Sequence, residues 1–216
     1  MIKLERISVM NFENAIRGAR NPMNSWDKSD STFDYDVVPK YKGYEVKPKF
    51  EIGENDLKLM KSLSKAGNDH GKFLRMINVT VDITAPLYWW KEFDTYKVGT
   101  VANSCSTMHK IHAKEFVMDD FSYEHNLYYG NLGHTIDALN HAREQYLLTK
   151  DKKYWYSMIQ TLPTSYNQKR TVQLNYAVLK NMYHSRRFHK LDEWRNFCEY
   201  FIRELPYSEL ITGEEN

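Results

Sequence analysis

The feature that most constrains the fold is a short segment in which apolar and polar side chains alternate strictly. In INVTVDI, residues 77–83, every second side chain is apolar, and the residues between are Asn, Thr and Asp. A period of two is typical of a β-strand with one buried face. Thr84 can cap a following helix, and Pro86 sits where the first helical turn tolerates its missing N–H. The segment predicts a strand over 77–83 that leads directly into a helix over 85–97.

Helical spacing of apolar residues dominates most of the remaining chain. Looser alternation at the N-terminus predicts a strand over 1–10, and Asn11 can cap a short helix that ends near Gly18. Few strands and many helices predict an α+β fold, organised as a single domain over residues 1–216. Further helices are predicted over 55–67, 131–149, 151–161, 170–185 and 190–204, with Leu132, Ile136, Leu139 and Leu147 of the second as core residues.

One long segment is dense in residues that are typical of loops. Residues 21–52 carry Pro, Gly, Asn, Ser and Asp in quick succession and are rich in Tyr and Lys. Segments of this length without secondary structure are usually functional or mobile. We predict a loop-rich arm over 21–52 and leave its role open.

The composition narrows the class of protein. A chain of 216 residues can bury a sizeable core without covalent cross-links. Its two cysteines, Cys105 and Cys198, form no CxxC pair, which favours a reducing compartment, and we expect a cytoplasmic protein. The formal net charge of +2 arises from well-mixed basic and acidic residues and gives no field that implies nucleic acid. No stretch is apolar and long enough for a signal peptide or a membrane span, so we also expect no membrane association.

The eight histidines raise the question of a metal site. His109 lies near His112, and His134 lies near His141, but neither pair has a carboxylate or cysteine at a spacing typical of metal ligands. We predict no metal.

Two blocks of sequence carry a family resemblance. DITAPLYWWKEFDTYKVGTVANSCSTMHK, residues 82–110, combines a strand, an Ala-Pro helix start, an aromatic helix and a polar loop that closes on serine. LPTSYNQKRTVQLNYAVLKNMYHSRR, residues 162–187, has Leu-Pro and then a helix with two asparagines that ends on an arginine. In content and order the blocks resemble the flavin-dependent thymidylate synthases, over roughly residues 70–205.

This resemblance implies a function and an assembly. The expected reaction is the reductive methylation of dUMP to dTMP, with FAD as cofactor and NADPH and methylenetetrahydrofolate as co-substrates. The expected fold has a small, mainly antiparallel sheet and several helices. Members are typically homotetramers whose active sites are assembled from several subunits.

The first block implies flavin and nucleotide contacts. The family's Arg-His-Arg motif falls on Thr95, Tyr96 and Lys97, so that only the last position keeps a cation. Arginine binds phosphate and carbonyl oxygens bidentately, whereas threonine and tyrosine supply single neutral hydrogen bonds. The resemblance places these three residues at the flavin. It places Glu92, Ser104 and Ser106 at the nucleotide, with Met108 where the family has an arginine.

The second block implies further contacts. Asn175 and Asn181 match flavin-contacting asparagines, and Arg186 matches the arginine that orients and polarises the uracil ring. Methylation at uracil C5 makes negative charge develop on the ring, which a fixed guanidinium would stabilise. Ala177 stands where the family has another arginine, and LDEW, residues 191–194, replaces a family His-Ala-Gln.

The same residues also fit simpler interpretations. Arg186 would complement the dipole at a helix C-terminus, and the two asparagines would be surface amides. Cys105 is either a nucleophile or a small buried apolar residue, and we favour the second. The aromatic residues of the helix over 85–97 either line an isoalloxazine ring or pack against neighbouring subunits or the core. They are Trp89, Trp90, Phe93 and Tyr96.

The eroded arginine motif leaves a second function open. A homologue that had lost flavin chemistry would keep the scaffold and a pyrimidine-nucleotide pocket as a non-catalytic binding protein. The motivating observation is that Thr95 and Tyr96 lack guanidinium groups. A third possibility is a structural or phage-type accessory protein with no small ligand.

Overall fold

The alternating segment forms an inner strand of a four-stranded sheet. The strands are β1 (Lys3–Met10), β2 (Thr32–Pro39), β3 (Tyr44–Glu51), β4 (Asn78–Pro86), β5 (Val101–Ser104) and β6 (Asn167–Asn175). The four-stranded sheet has the order β1-β4-β6-β5, and β2 and β3 form a separate antiparallel pair. Val79, Val81 and Ile83 of β4 are fully buried, as the period of two predicts.

The computed structural model describes residues 2–214, apart from the side chains of Pro48 and Tyr129. The α+β class with small antiparallel sheets is confirmed. The described helices are α1 (Phe12–Arg20), α2 (Glu54–Lys65), α3 (Leu87–Phe93), α4 (Tyr129–Thr149), α5 (Lys152–Thr161), α6 (Tyr176–Arg186), α7 (Asp192–Phe197) and α8 (Glu209–Thr212), with a π-helical turn at Cys198–Ile202 after α7.

The chain divides into two compact units. The first comprises the residues up to Ile7, Val81–Lys97 and Val101–Val172, and the second comprises Ser8–Thr80, Val98–Thr100 and the residues from Gln173 onward. Organisation as a single domain over 1–216 stays a prediction, and Met1, Glu215 and Asn216 lie outside the described residues.

The core of the first unit has two parts. Trp89, Trp90 and Phe93 of α3 are almost fully buried, with ring centroids 5.0–5.1 Å apart. Their burial favours the core interpretation of these rings over flavin stacking. The second part joins α4 to α5 through Ile111, Phe116, Phe121, Leu132, Ile136, Leu139, Ala142 and Met158. Leu147 was expected in this core but is 38% exposed, because it lies near the C-terminal end of α4.

The second unit contains a buried ion pair. Asp56 of α2 is fully buried, and Arg20 at the end of α1 is 5% exposed. Arg20 Nε donates to Asp56 Oδ1 at 2.5 Å, and the hydroxyls of Ser29 and Ser31 donate to Oδ2, each at 2.6 Å. Burial alone would raise the pKa of Asp56, but the hydrogen bonds from Ser29, Ser31 and Arg20 outweigh it and hold that pKa below its usual range. The carboxylate therefore ties the segment after α1 to α2.

The prediction for 85–97 is wrong at both ends. β4 continues through Ala85 to Pro86, because the residue before a proline favours extended backbone and Pro86 itself has a ψ of 151°. The helix begins at Leu87 and ends at Phe93. Thr95 Oγ1 donates to the carbonyl oxygen of Glu92 at 2.7 Å, which stabilises the turn after the helix.

The predicted helix over 170–185 is also wrong in its first part. Residues up to Asn175 belong to β6, in which Gln168, Val172 and Leu174 are buried at even-numbered positions. Asn175 then caps α6, since its Oδ1 accepts a hydrogen bond from Val178 N at 3.1 Å. The strand β5 and the helix α8 have no counterpart in the sequence prediction.

The arm over 21–52 is not a loop throughout. Single 3₁₀ turns at Asn21–Met23 and Trp26–Lys28 precede the hairpin of β2 and β3. The hairpin closes on Gly43, whose φ of +92° favours glycine. Cross-strand pairs such as Phe33 with Phe50 and Val37 with Val46 fix its register.

No helix within the described residues has the length and apolarity needed to cross a membrane.

Replacing Asp56 with Ala is expected to lower the free energy of unfolding by about 3–5 kcal/mol, because Arg20 would stay buried without its partner. The lowered pKa of Asp56 makes its contribution complete above about pH 4, and lost as the pH falls through the folded-state value. Denaturant titrations of both proteins across the acid range test this. The exposed hairpin variant Asp36→Ala should change stability by no more than about 0.5 kcal/mol. Equal stability of Asp56→Ala and wild type would contradict the expectation.

Candidate functional site

The segment that follows α3 carries the first group of predicted site residues. Thr95 and Lys97 are exposed, while Tyr96 and Glu92 are half-buried. Thr95 uses its hydroxyl hydrogen on the carbonyl oxygen of Glu92, so Thr95 can accept but not donate a second hydrogen bond in this conformation. Among the described residues Lys97 has no carboxylate partner, so its ammonium group is available to an anion.

The end of β5 carries the second group. Ser104 is exposed and Ser106 is half-buried. Ser106 Oγ accepts hydrogen bonds from the backbone N–H groups of Met108 at 3.2 Å and His109 at 2.9 Å. Because the oxygen acts only as an acceptor here, its own hydroxyl hydrogen remains available to a ligand oxygen.

Two side chains of β6 tie these groups together inside the first unit. Arg170 lies with its guanidinium carbon 4.2 Å from the ring centroid of Trp90, and its Nη1 donates to Asp94 Oδ1 at 2.7 Å. Gln168 Oε1 accepts from Arg170 Nε at 2.9 Å, and Gln168 Nε2 donates to the carbonyl oxygen of Cys105 at 2.9 Å. We call Trp90, Asp94, Cys105, Gln168 and Arg170 the β6 junction.

The β6 junction determines the position of both predicted groups. Asp94 directly precedes Thr95, and Cys105 lies between Ser104 and Ser106. The structure therefore brings 95–97 and 104–106 to the same strand. Sequence reasoning missed Gln168 and Arg170 because it assigned this segment to a loop and a helix. The available signal for a strand was the period of two along this segment, in which Gln168, Val172 and Leu174 occupy even-numbered positions and are buried.

The neighbouring cation of β6 is engaged elsewhere. Lys169 Nζ lies 3.1 Å from Glu5 Oε2 and 3.2 Å from Asp82 Oδ2, and Thr171 donates to Asp82 Oδ1 at 2.6 Å. The hydrogen bonds from Thr171 and Lys169 lower the pKa of Asp82, and those to Glu5 and Asp82 raise the pKa of Lys169. Lys169 is thus neutralised within the sheet rather than offered to a ligand.

Asn175 lies in the second unit and is 9% exposed. Its Oδ1 caps α6, which leaves the Nδ2 hydrogens for other partners. A Cβ atom on Gly99, whose φ is +79°, would lie 2.8 Å from Asn175 Nδ2. A glycine is therefore required here for both its backbone conformation and its close approach.

Asn181 and Arg186 follow along α6. Asn181 is exposed, and its Oδ1 accepts a hydrogen bond from Ser185 Oγ at 3.3 Å. The guanidinium carbon of Arg186 lies 5.1 Å from the ring centroid of Trp194, which is fully buried. At 1.5 Å per residue, Asn175 and Arg186 are separated by about 16 Å along the helix. Within the second unit these residues do not converge on one pocket.

The cysteines have different surroundings. Cys105 is exposed and Cys198 is buried. Burial raises the pKa of the Cys198 thiol to about 12, so this thiol is un-ionised at neutral pH. In the part of the chain that the structure describes, no three His, Cys, Asp or Glu side chains are grouped as metal ligands would be.

No protein-family model matches the sequence, and no curated protein matches it. Solved structures do match. Two crystal structures of the flavin-dependent thymidylate synthase ThyX from Helicobacter pylori, with FAD and dUMP, superpose with TM-scores of 0.71 and 0.72 at 14% identity. The matches cover 98% and 99% of this chain and 98% of each ThyX chain.

A third solved structure is the UMP/dUMP methylase PolB from Streptomyces cacaoi, bound with 5-Br dUMP. It matches with a TM-score of 0.62 at 15% identity, over 99% of this chain and 95% of the PolB chain. At such identities the likeness concerns the fold. Over nearly its whole length, the chain has the fold of the flavin-dependent thymidylate synthases.

Proposed function

We propose that the chain is a divergent flavin-dependent thymidylate synthase, which methylates dUMP to dTMP with FAD, NADPH and methylenetetrahydrofolate. The observation that carries the proposal is the fold match to FAD- and dUMP-bound ThyX over 98–99% of the chain. This match agrees with the independent order of the two sequence blocks.

The nucleotide would contact the loop that the β6 junction holds. Ser106 supplies a hydroxyl hydrogen whose direction is set by the two backbone N–H groups bound to its oxygen. Such a donor suits a phosphate or ring oxygen. We assign Ser106, Ser104 and Glu92 to the nucleotide, and the proposal keeps Ser106 as a hydrogen-bond donor rather than a nucleophile.

The flavin-binding residues fit the cofactor only in part. Lys97 offers an exposed ammonium to a phosphate, and Asn175 and Asn181 both keep amide hydrogens for carbonyl oxygens. Tyr96 offers a phenolic group, whereas Thr95 would have to release the Glu92 carbonyl before it could donate. Bound FAD would supply the reducing equivalents for the methylation.

Arg186 is the proposed catalytic residue. Its cation–π contact with Trp194 uses the face of the guanidinium group, and the N–H groups lie in the plane of that group. Trp194 thus fixes the face of the guanidinium group, and the proposed contact to a uracil carbonyl oxygen is made through its N–H groups. Replacement of the C5 hydrogen by a methyl group makes negative charge develop on the ring carbonyl oxygen, which this cation would stabilise.

The assembly is proposed from the resemblance to the synthases, whose members are typically homotetramers. We propose a homotetramer in which complete sites combine residues from more than one copy. The two unpaired cysteines support a cytoplasmic location.

The alternative is a non-catalytic nucleotide-binding homologue. Two observations favour it. The hydroxyl hydrogen of Thr95 is already donated to the carbonyl oxygen of Glu92. Arg170 is paired with Asp94, so that no unpaired guanidinium group lies beside 95–97 among the described residues. Such a protein would bind a pyrimidine nucleotide through the Ser106 loop without retaining flavin.

The synthase proposal predicts that the purified protein retains added FAD through gel filtration, measured by its visible absorption. Lys97→Ala should weaken FAD binding by about 10-fold or more, because it removes a charge-assisted contact to phosphate. Lys91→Ala removes an exposed cation from α3 and serves as the matched control, with no change expected. A colourless protein that still binds dUMP in calorimetry would support the scaffold alternative instead.

Arg186→Ala is expected to reduce turnover of dUMP by at least about 100-fold, the usual effect of losing one donor to developing negative charge. Release of the C5 hydrogen from isotopically labelled dUMP measures the reaction directly. Lys190→Ala removes a nearby exposed cation and should leave turnover unchanged. Arg186→Lys keeps a cation near Trp194 but loses the planar fork, so a substantial defect should persist. Full activity of Arg186→Ala would exclude the assigned role.

A further inference from the structure

The hairpin of β2 and β3 has an apolar face that the described chain leaves open to solvent. We define the apolar hairpin face by its five large side chains. Phe33 pairs across the strands with Phe50, which is not one of the five and stacks on Phe12 of α1 at a centroid distance of 6.3 Å. The face consists of Phe33, Tyr35, Val37, Tyr44 and Val46, which are 50%, 57%, 58%, 74% and 58% exposed.

The opposite face of the hairpin is charged. β2 places Asp34 and Asp36 there, and β3 places Lys47 and Lys49 opposite them, in the pairs Asp34 with Lys49 and Asp36 with Lys47. Lys49 Nζ also lies 2.6 Å from Glu51 Oε1. Lys47 Nζ likewise lies 3.7 Å from Glu45 Oε2. Charged side chains on an exposed face are solvated by water, so this face needs no protein cover.

The apolar hairpin face does need cover. An isolated two-stranded hairpin is marginally stable in water, and stable sheets bury one face against a helix or a second sheet. Tyrosine and phenylalanine are also enriched at the cores of protein interfaces. A run of half-exposed aromatic and β-branched side chains on one side of the hairpin therefore indicates a docking surface.

The charges of the hairpin favour a second copy of this chain as the occupant. Residues 32–51 contain four acidic and four basic side chains, so their formal charge is zero and two hairpins do not repel each other. Symmetric pairing of two β2 edges would place Asp34 and Asp36 of one copy beside the same aspartates of the other. Symmetric pairing of two β3 edges would likewise place lysines beside lysines. The apolar hairpin face carries no charge and is the surface that can meet itself without repulsion.

We propose that the apolar hairpin face packs against the same face of a second copy in a two-fold symmetric contact. The two hairpins form two stacked sheets about 10 Å apart, with the charged faces directed outward. This proposal rests on the hairpin alone and stands whether or not the chain binds flavin or nucleotide.

Sedimentation velocity of the full-length protein, in the absence of nucleotide and flavin, tests the contact. The wild type should sediment as an assembly of two or more copies. Val37→Lys with Val46→Lys buries two like charges at a cross-strand pair of the apolar hairpin face, and should raise the dissociation constant at least about 30-fold. The matched control exchanges the neighbouring pair on the charged face, Asp36→Lys with Lys47→Asp, and should assemble as the wild type does.

A second variant tests proximity without disturbing the face. Val37→Cys, in a Cys105→Ser background, should be cross-linked between copies by a short bis-maleimide, whereas Asp36→Cys in the same background should not. A monomeric wild type, an unchanged dissociation constant for the double lysine variant, equal weakening by the charge exchange, or absent cross-linking at Val37 would each overturn the proposal.

Discussion

The stacking of Arg170 on Trp90 is the contact on which the rest of the candidate site depends. It places a guanidinium group against a fully buried ring at 4.2 Å, where the cation is stabilised by the ring and by Asp94. From that fixed position Arg170 orients Gln168, and Gln168 in turn holds Cys105. Trp90 also donates from Nε1 to the carbonyl oxygen of Gln168 at 3.0 Å. The two segments that carry predicted ligand-binding residues, 95–97 and 104–106, are thus both held by contacts to β6.

The same contact decides how charge is distributed around the site. Arg170 is neutralised by Asp94, and Lys169 is neutralised by Glu5 and Asp82. Lys97 remains as the exposed cation of the segment after α3. An anionic ligand would therefore meet one ammonium group and the hydrogen of Ser106 in the first unit, where an intact arginine motif would offer several forks. In the proposed site, the affinity for such a ligand would therefore depend more heavily on groups outside that segment.

Sequence patterns predicted the parts of the fold whose burial follows a regular period. The strand at 77–83 and the helices at 131–149 and 151–161 are present because the apolar residues of each element lie on one side of that element. The strand β6 was missed because Lys169 and Arg170 are satisfied by partners far away in the sequence, on β1, β4 and the end of α3. The early end of α3 is stabilised by a hydroxyl hydrogen bond from Thr95 to the carbonyl oxygen of Glu92, which no periodicity reveals.

The arm over 21–52 was misread for a different reason. Its alternation is as regular as that of β4, but Pro39 and the turn at Gly43 interrupt the pattern, and its apolar side chains face no core of their own unit. In the contact proposed for the apolar hairpin face, a second copy supplies the layer that these side chains lack. The open hairpin face is therefore consistent with a chain whose structure is completed by a second copy.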